Sequence, residues 1–272
     1  MGLYKNGCIV LLFCLSFFSG ACKKSTSYDT TTLPTRPPST TPLTYQLVWS
    51  DEFDSTAINT ANWNFETGGN GWGNNEQEYY QSDNATVANG NLIITAKKET
   101  QGSNPYTSAR MTTAGKRTFT YGKMEARMKI PVGQGLWPAF WALGSNITSV
   151  SWPACGEIDI MEHINADSLI YGTLHWNNNG HVSSGGKMNS TPTDYHVYAV
   201  EWDESSIRWY VDNVKYHEVA FSNGDNTVSI FSKPFYLLFN LAVGGNWPGQ
   251  TVDESKLPAR LYVDYVRVYQ RK

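Results

Sequence analysis

Three carboxylates crowd one stretch of this sequence, Gly156-Glu157-Ile158-Asp159-Ile160-Met161-Glu162-His163. Side chains on an extended strand alternate faces with period two, so Glu157 and Asp159 share a face. Glu162 stands five positions after Glu157, which strict alternation puts on the opposite face. One extra residue, taken up as a β-bulge near Ile160-Met161, restores the parity and brings all three acids to one surface. Ile158 and at least one of Ile160 and Met161 then point into a core. Like charges on one face cost free energy. Glycoside hydrolysis makes use of such a pair, with one carboxylate as nucleophile and the other as general acid/base, about 5–5.5 Å apart in the retaining version. Asp159, between them, can hydrogen-bond the nucleophile and raise its neighbours' pKa by like-charge coupling. Spacing alone leaves a solvated acidic edge or a calcium site open as alternatives. The interleaved apolar residues favour a strand over a calcium-binding loop.

The elements that must position these acids read as nearly all β. Asn91–Ala96 follows the turn-like Asn89-Gly90, and Tyr121–Ile130 alternates apolar and charged residues. His196–Trp202 is a further strand. Ile207–Val211 and Val214–Val219 flank Asp212-Asn213 as a hairpin, and Pro234–Ala242 and Leu261–Gln270 complete the set. No window shows a sustained 3.6-residue apolar period. Many short strands with Gly, Asn and Pro turns predict an all-β, two-sheet sandwich. Ten Trp and sixteen Tyr exceed what a core alone explains, and such rings also stack on the apolar faces of sugars. The net charge of -3 gives no sign of a nucleic-acid partner.

The acidic stretch resembles the signature of glycoside hydrolase family 16, in the E-x-D-x-x-E form of its laminarinase (endo-β-1,3-glucanase) branch. Val48–Phe53, the loop Gly71-Trp72-Gly73-Asn74-Asn75-Glu76-Gln77-Glu78-Tyr79-Tyr80, Gly135–Trp141 and Tyr262–Tyr269 are similar to further family segments, in the expected order. The resemblance implies a concanavalin-like β-jelly-roll over residues 45–272, with a concave substrate groove. It implies a retaining double displacement with Glu157 as nucleophile, Glu162 as general acid/base and Asp159 assisting. The implied substrate is β-1,3-glucan. Mixed-linkage glucan or a galactan such as agar is the alternative, and a non-catalytic carbohydrate-binding sandwich would have no need of three such acids.

Candidate groove residues follow. Trp137 and Trp141 lie four apart and face one way on a strand, with Pro138 between them arguing for an edge or a bend. Trp152 precedes the acidic motif. Asn70, Trp72 and Asn74 sit in a Gly-rich loop that lacks the Lys-Ser/Thr ending of a phosphate loop. Arg110 resembles a substrate-contacting arginine, with a surface ion pair as the bland reading. His175 lies on the strand after the acidic one, and Asn246 and Trp247 occupy a second Gly-rich loop. No cofactor is expected for catalysis. The five His show no zinc-ligand spacing. The resemblance implies a structural Ca²⁺ held by Glu52, the Gly90 carbonyl and Asp264.

The N-terminus reads as an export signal, with Lys5 before an apolar run, Cys8 to Phe18, too short to span a bilayer. Ser19-Gly20-Ala21-Cys22 resembles a bacterial lipoprotein signal spanning 1–21, with lipid on Cys22. Residues 22–44, rich in Thr, Ser and Pro, read as an extended tether. These features predict a monomeric enzyme, lipid-anchored in a bacterial cell envelope on the periplasmic or surface side, or otherwise secreted. Cys155 is left alone and reads as a small buried residue.

Overall fold

The computed structural model describes residues 44–272, so the signal and all but the last residue of the tether lie outside the described residues. The chain runs through β1 (Tyr45–Asp51), β2 (Asn64–Glu66), β3 (Glu78–Tyr80), β4 (Ala85–Ala88), β5 (Asn91–Ala96) and β6 (Tyr106–Ser108). It continues through β7 (Arg110–Thr112), β8 (Gly122–Lys129), β9 (Leu136–Gly144), β10 (Glu157–Glu162), β11 (Leu169–Asn177) and β12 (His181–Asn189). The last strands are β13 (His196–Trp202), β14 (Ser206–Val211), β15 (Val214–Ala220), β16 (Phe235–Val243) and β17 (Ala259–Arg271). Two antiparallel sheets result. One has the order β12-β11-β10-β9-β16-β7-β2, the other β15-β14-β13-β8-β17-β5-β4 with β1 also on β17.

Alternation builds the interior. Met124, Ala126 and Met128 of β8 point inward while Lys123, Arg127 and Lys129 face out. Leu92, Ile94 and Ala96 of β5 do the same. Across the interface β16 is buried along its whole length. Phe235, Leu237, Phe239, Leu241 and Val243 join the inter-sheet core, and Tyr236 and Leu238 pack in a smaller cluster with Leu143 and Cys155 on the other face. Each fully buried side chain of this size contributes about 1.5–3 kcal/mol. The expected hairpin is present, with Asp212 and Asn213 at φ 49° and 65°, the left-handed pair that a two-residue turn requires.

Two expectations need correction. Pro138 lies at neither an edge nor a bend, because β9 is an interior strand between β10 and β16. Its carbonyl accepts from His163 N just past the end of β10. The N–H that proline lacks would face the same side, just past the last β9–β10 pair, Ala139 with Glu162. The second is β12, whose Ser183-Ser184-Gly185-Gly186 run carries little strand propensity. It pairs through nine consecutive partners with β11. Gly186 is required there, because a Cβ would stand 2.5 Å from the His217 Cβ of β15.

Candidate active site

The bulge is present where parity demands it. Asp159 pairs with Trp141 and Met161 with Phe140 on β9, so Ile160 is the extra residue. On β11, Asp159 pairs with Thr173 and Glu162 with Tyr171, again one residue short. Ile158, Ile160 and Met161 all enter the inter-sheet core, at 0–1% exposure. A bulge breaks the ladder and leaves a carbonyl without a partner. Here Trp209 reaches across from β14 of the other sheet, and its Nε1 donates to the Asp159 carbonyl at 2.7 Å. Gly172 makes room, since a Cβ there would meet Trp209 and the Tyr216 hydroxyl.

The cleft above this strand holds about 420 Å³. Strand register sets its rows: Leu143, Glu157, His175 and Ser183; then Trp141, Asp159, Thr173 and Gly185; then Ala139, Glu162, Tyr171 and Lys187. Glu157, Asp159 and Glu162 line the cleft together with Trp72, Asn74, Arg110, Trp137, Trp141 and Trp152. Trp137 and Trp141 do face the same way. Trp137 Nε1 donates to Glu162 Oε1 at 2.9 Å. Arg110 is neither free nor a surface ion pair. It is paired with Glu66, and its guanidinium lies between the rings of Trp72 and Trp141, 4.8 Å from each centroid.

Other expected residues sit beside the cleft rather than in its lining. His175 Nε2 lies 3.1 Å from Asp159 Oδ2, without the alignment of a full hydrogen bond. Trp247 is exposed and meets Trp137 and Tyr171 edge-on, at 5.6 and 4.9 Å between centroids. Asn246 accepts from Asn75 Nδ2 at 2.8 Å, which ties the two Gly-rich loops together. Asn70 is spent on a local turn, accepting from Trp72 N at 3.2 Å.

Glu76, Asn240 and Tyr171 were not anticipated. Asn240 accepts from Trp141 Nε1 at 2.8 Å and donates to the Tyr80 hydroxyl, which in turn donates to Glu76. This rail fixes the Trp141 ring. A lone Asn in the apolar run Phe235–Val243 was the available signal, since a buried amide needs partners. The parity of Glu76, Glu78 and Tyr80 on one face was another.

Burial dominates the electrostatics. It pushes the Glu157 carboxyl up to about 8, with Asp159 adding to the rise while His175, Arg110 and Trp152 oppose it. Burial likewise raises Asp159 to about 8. Glu162 is held well above the usual carboxylate range by burial and by Asp159, against the Trp137 donor. The three titrate as a coupled set and do not all carry charge at neutral pH. Cys155 is buried, and its thiol is raised to about 11, so it supplies no nucleophile.

The calcium expectation finds no fit. Both Glu52 oxygens accept from Arg267, at 3.0 and 2.7 Å, and Asp264 accepts from Arg127 at 2.7 Å. A calcium ion requires six to eight oxygens, and here Arg267 already engages both oxygens of Glu52 and Arg127 one oxygen of Asp264. Gly90 stays a turn residue at φ 70°. Among the described residues, the His/Asp/Glu group with ligand atoms within 4.8 Å of one another is Glu157, Asp159 and His175, in the cleft itself.

The model of glycosyl hydrolases family 16 matches residues 72–267. The chain belongs to this family. It is 43% identical over 244 residues to the beta-glucanase of Rhodothermus marinus, spanning 83% of this chain and 85% of that protein. It is 45% identical over 231 residues to the clotting factor G alpha subunit of Tachypleus tridentatus, but spans only 34% of that protein. The X-ray structure of the laminarinase from Rhodothermus marinus superposes with a TM-score of 0.80 at 41% identity, covering 85% of this chain and all of that one. The two sheets are thus a family 16 jelly roll, and the bulged acidic strand is an interior strand, third of seven, of its cleft-bearing sheet.

Proposed function

We propose that this chain is an endo-acting hydrolase of β-1,3-glucans that works by a retaining double displacement. The observation that carries the reading is the bulge, which sets Glu157, Asp159 and Glu162 on one face of a tryptophan-walled cleft. Glu157 attacks the anomeric carbon while Glu162 gives its proton to the departing glycosidic oxygen. Glu162, now a carboxylate, then deprotonates a water that releases the sugar from Glu157 with its configuration retained. The surroundings divide these roles. Burial raises both carboxyls, but the Arg110 guanidinium opposes the rise at Glu157 and so favours the ionised form that a nucleophile needs. Glu162 sits in a dry corner that keeps its proton, as an acid needs. Asp159, between them, shares the proton load. Trp72, Trp137, Trp141 and Trp152 offer faces for pyranose rings, and the relatives' names, beta-glucanase and laminarinase, support the choice of glucan.

The test is to incubate the purified domain with laminarin, mixed-linkage glucan and agarose, and to follow the first product by proton NMR. Short β-1,3 oligosaccharides appearing first as the β-anomer are expected. Cleavage of agarose alone, an inverted first product, or binding without cleavage contradicts the reading. We also propose that Cys22 carries lipid and tethers the enzyme to a bacterial membrane. Mass spectrometry of the N-terminal peptide checks this, and an unmodified Cys22 on the exported protein contradicts it.

A further inference from the structure

The cleft has one polar feature that the double displacement leaves unused. His175 and His181 lie on the same face of the β11–β12 hairpin, diagonally across the pair, because Asn177 is the partner of His181 and Ser183 of His175. Their rings stack at 14° with centroids 5.1 Å apart, and His181 Nε2 is 2.8 Å from His175 Nδ1. The other nitrogen of His175 is the one that approaches Asp159 Oδ2 at 3.1 Å. That oxygen is buried and has no hydrogen-bond partner. His181 is exposed, and Trp152 covers one side of it at 4.6 Å. A continuous file of polar atoms therefore runs from the buried middle carboxyl to solvent.

We infer that His181 is a positioning residue of this site: it orients His175 against Asp159 and serves as the outlet for the Asp159 proton. The inference rests on the glucanase reading above. A neutral imidazole has one donor and one acceptor nitrogen. When Asp159 is protonated, His175 accepts at Nε2 and donates from Nδ1 to His181. In the exchange, the Asp159 O–H breaks and a His175 Nε2–H forms. The His175 Nδ1–H breaks and a His181 Nε2–H forms. The products are a carboxylate at Asp159, a neutral His175 of the other tautomer, and an imidazolium at His181. The charge of Asp159 is thereby coupled to an exposed group instead of being trapped. Several further groups face this path. Glu157 and Glu162 flank Asp159 on β10, Arg110 acts on Glu157 from β7, and Tyr216 of β15 lies beneath Asp159 and Glu162. None of these reaches solvent through a second imidazole.

Two variants separate the roles of His181. His181→Phe keeps a flat ring beside Trp152 and removes both nitrogens, and His181→Ala removes everything. Both are expected to lower kcat on laminarin by roughly tenfold with KM nearly unchanged, a smaller loss than the 10²–10⁴ of a direct acid/base group. The acidic limb of kcat/KM should move up by about half a pH unit, because the imidazolium that favours ionised carboxyls is gone. Added imidazole should restore part of the activity of His181→Ala. Nitrogen-15 NMR should show one dominant tautomer of His175 in the wild type and a changed tautomer ratio in both variants. Wild-type kcat and pH limb in His181→Phe, or an unchanged His175 spectrum, would overturn the inference. A wild type inactive on every glucan would sink the glucanase reading instead, and the NMR comparison still decides whether His181 governs His175.

Discussion

The two sheets treat their carboxylates in opposite ways. On the outward face of the eight-stranded sheet, acids meet cations: Glu52 with Arg267, Asp264 with Arg127, and Asp203 at the edge with Arg208 and Arg271. Arg267 holds Glu52 below the usual carboxylate range, and Asp203 is held below it, against its burial, by hydrogen bonds from Ser205 and then by Arg208. On the cleft face, half-buried Glu157 and buried Asp159 and Glu162 lie in one row, and all three are pushed up. Aromatic rings show a related contrast at their exposed members, although in the cleft Arg110 lies against Trp72 and Trp141. On the outer face Tyr265 and Tyr195 are covered by Arg267 and Arg127, at 3.7 and 4.4 Å. Trp152 and Trp247 stand exposed at the cleft, at 45% and 40%. Paired charges and covered rings stabilise a surface, whereas unpaired acids and open rings are groups left available for a ligand.

The comparison can be broken most sharply at the acids. Glu157→Ala or Glu162→Ala should cut laminarin hydrolysis by ~10²–10⁴-fold or more, with a circular dichroism spectrum like that of the wild type. Retained activity in either would remove the functional half of the contrast. Trp209→Phe comes next. It leaves the Asp159 carbonyl buried without a donor, at a cost of about 1–3 kcal/mol in urea unfolding, and it should lower kcat by loosening the bulge. A neutral effect would mean that the bulge holds itself.

The pH dependence of stability should have opposite signs on the two faces. Glu157 has a folded pKa of about 8, above its unfolded value. The folded state keeps a proton that the unfolded chain releases from about pH 4, so this group's contribution is present in acid and is lost as pH rises through about 8. Glu157→Gln should match the wild type near pH 4 and melt higher than it at pH 8. Glu52 is lowered by Arg267, so its contribution is present near neutrality and is lost as pH falls through the carboxylate range. Arg267→Ala should therefore cost stability at pH 7 and little at pH 3. With side chains 33% and 37% exposed, solvent screening limits the loss to about 0.5–1 kcal/mol. Activity per folded molecule should be unchanged. Thermal melts at the stated pH values check both variants.

The sequence carried the strands with clear alternation, the hairpin at Asp212-Asn213 and the parity argument for the bulge, because these depend on local period alone. It did not reveal β12, since Gly186 is chosen for close approach to His217, and neither it nor Gly185 carries strand propensity. It also placed Asn70 and Asn246 in the groove by their loops, whereas the loops consume both side chains to hold their own shape. The Asn240 rail and the His181 contact depend on pairings between distant strands or across a hairpin. Residue type names the candidates for such contacts, but register decides which of them meet.

The most direct test is to trap the covalent intermediate. A β-1,3-glucan oligosaccharide bearing a reducing-end epoxide, or a 2-fluoro glucosyl donor that slows its breakdown, is reacted with the wild-type enzyme. The labelled peptide is then read by mass spectrometry. The expected result is one label per chain, on Glu157, with none on the Glu157→Ala variant. A label on Asp159 or Glu162, or a first product of inverted configuration with no label at all, would contradict the assignment of roles along the bulged strand.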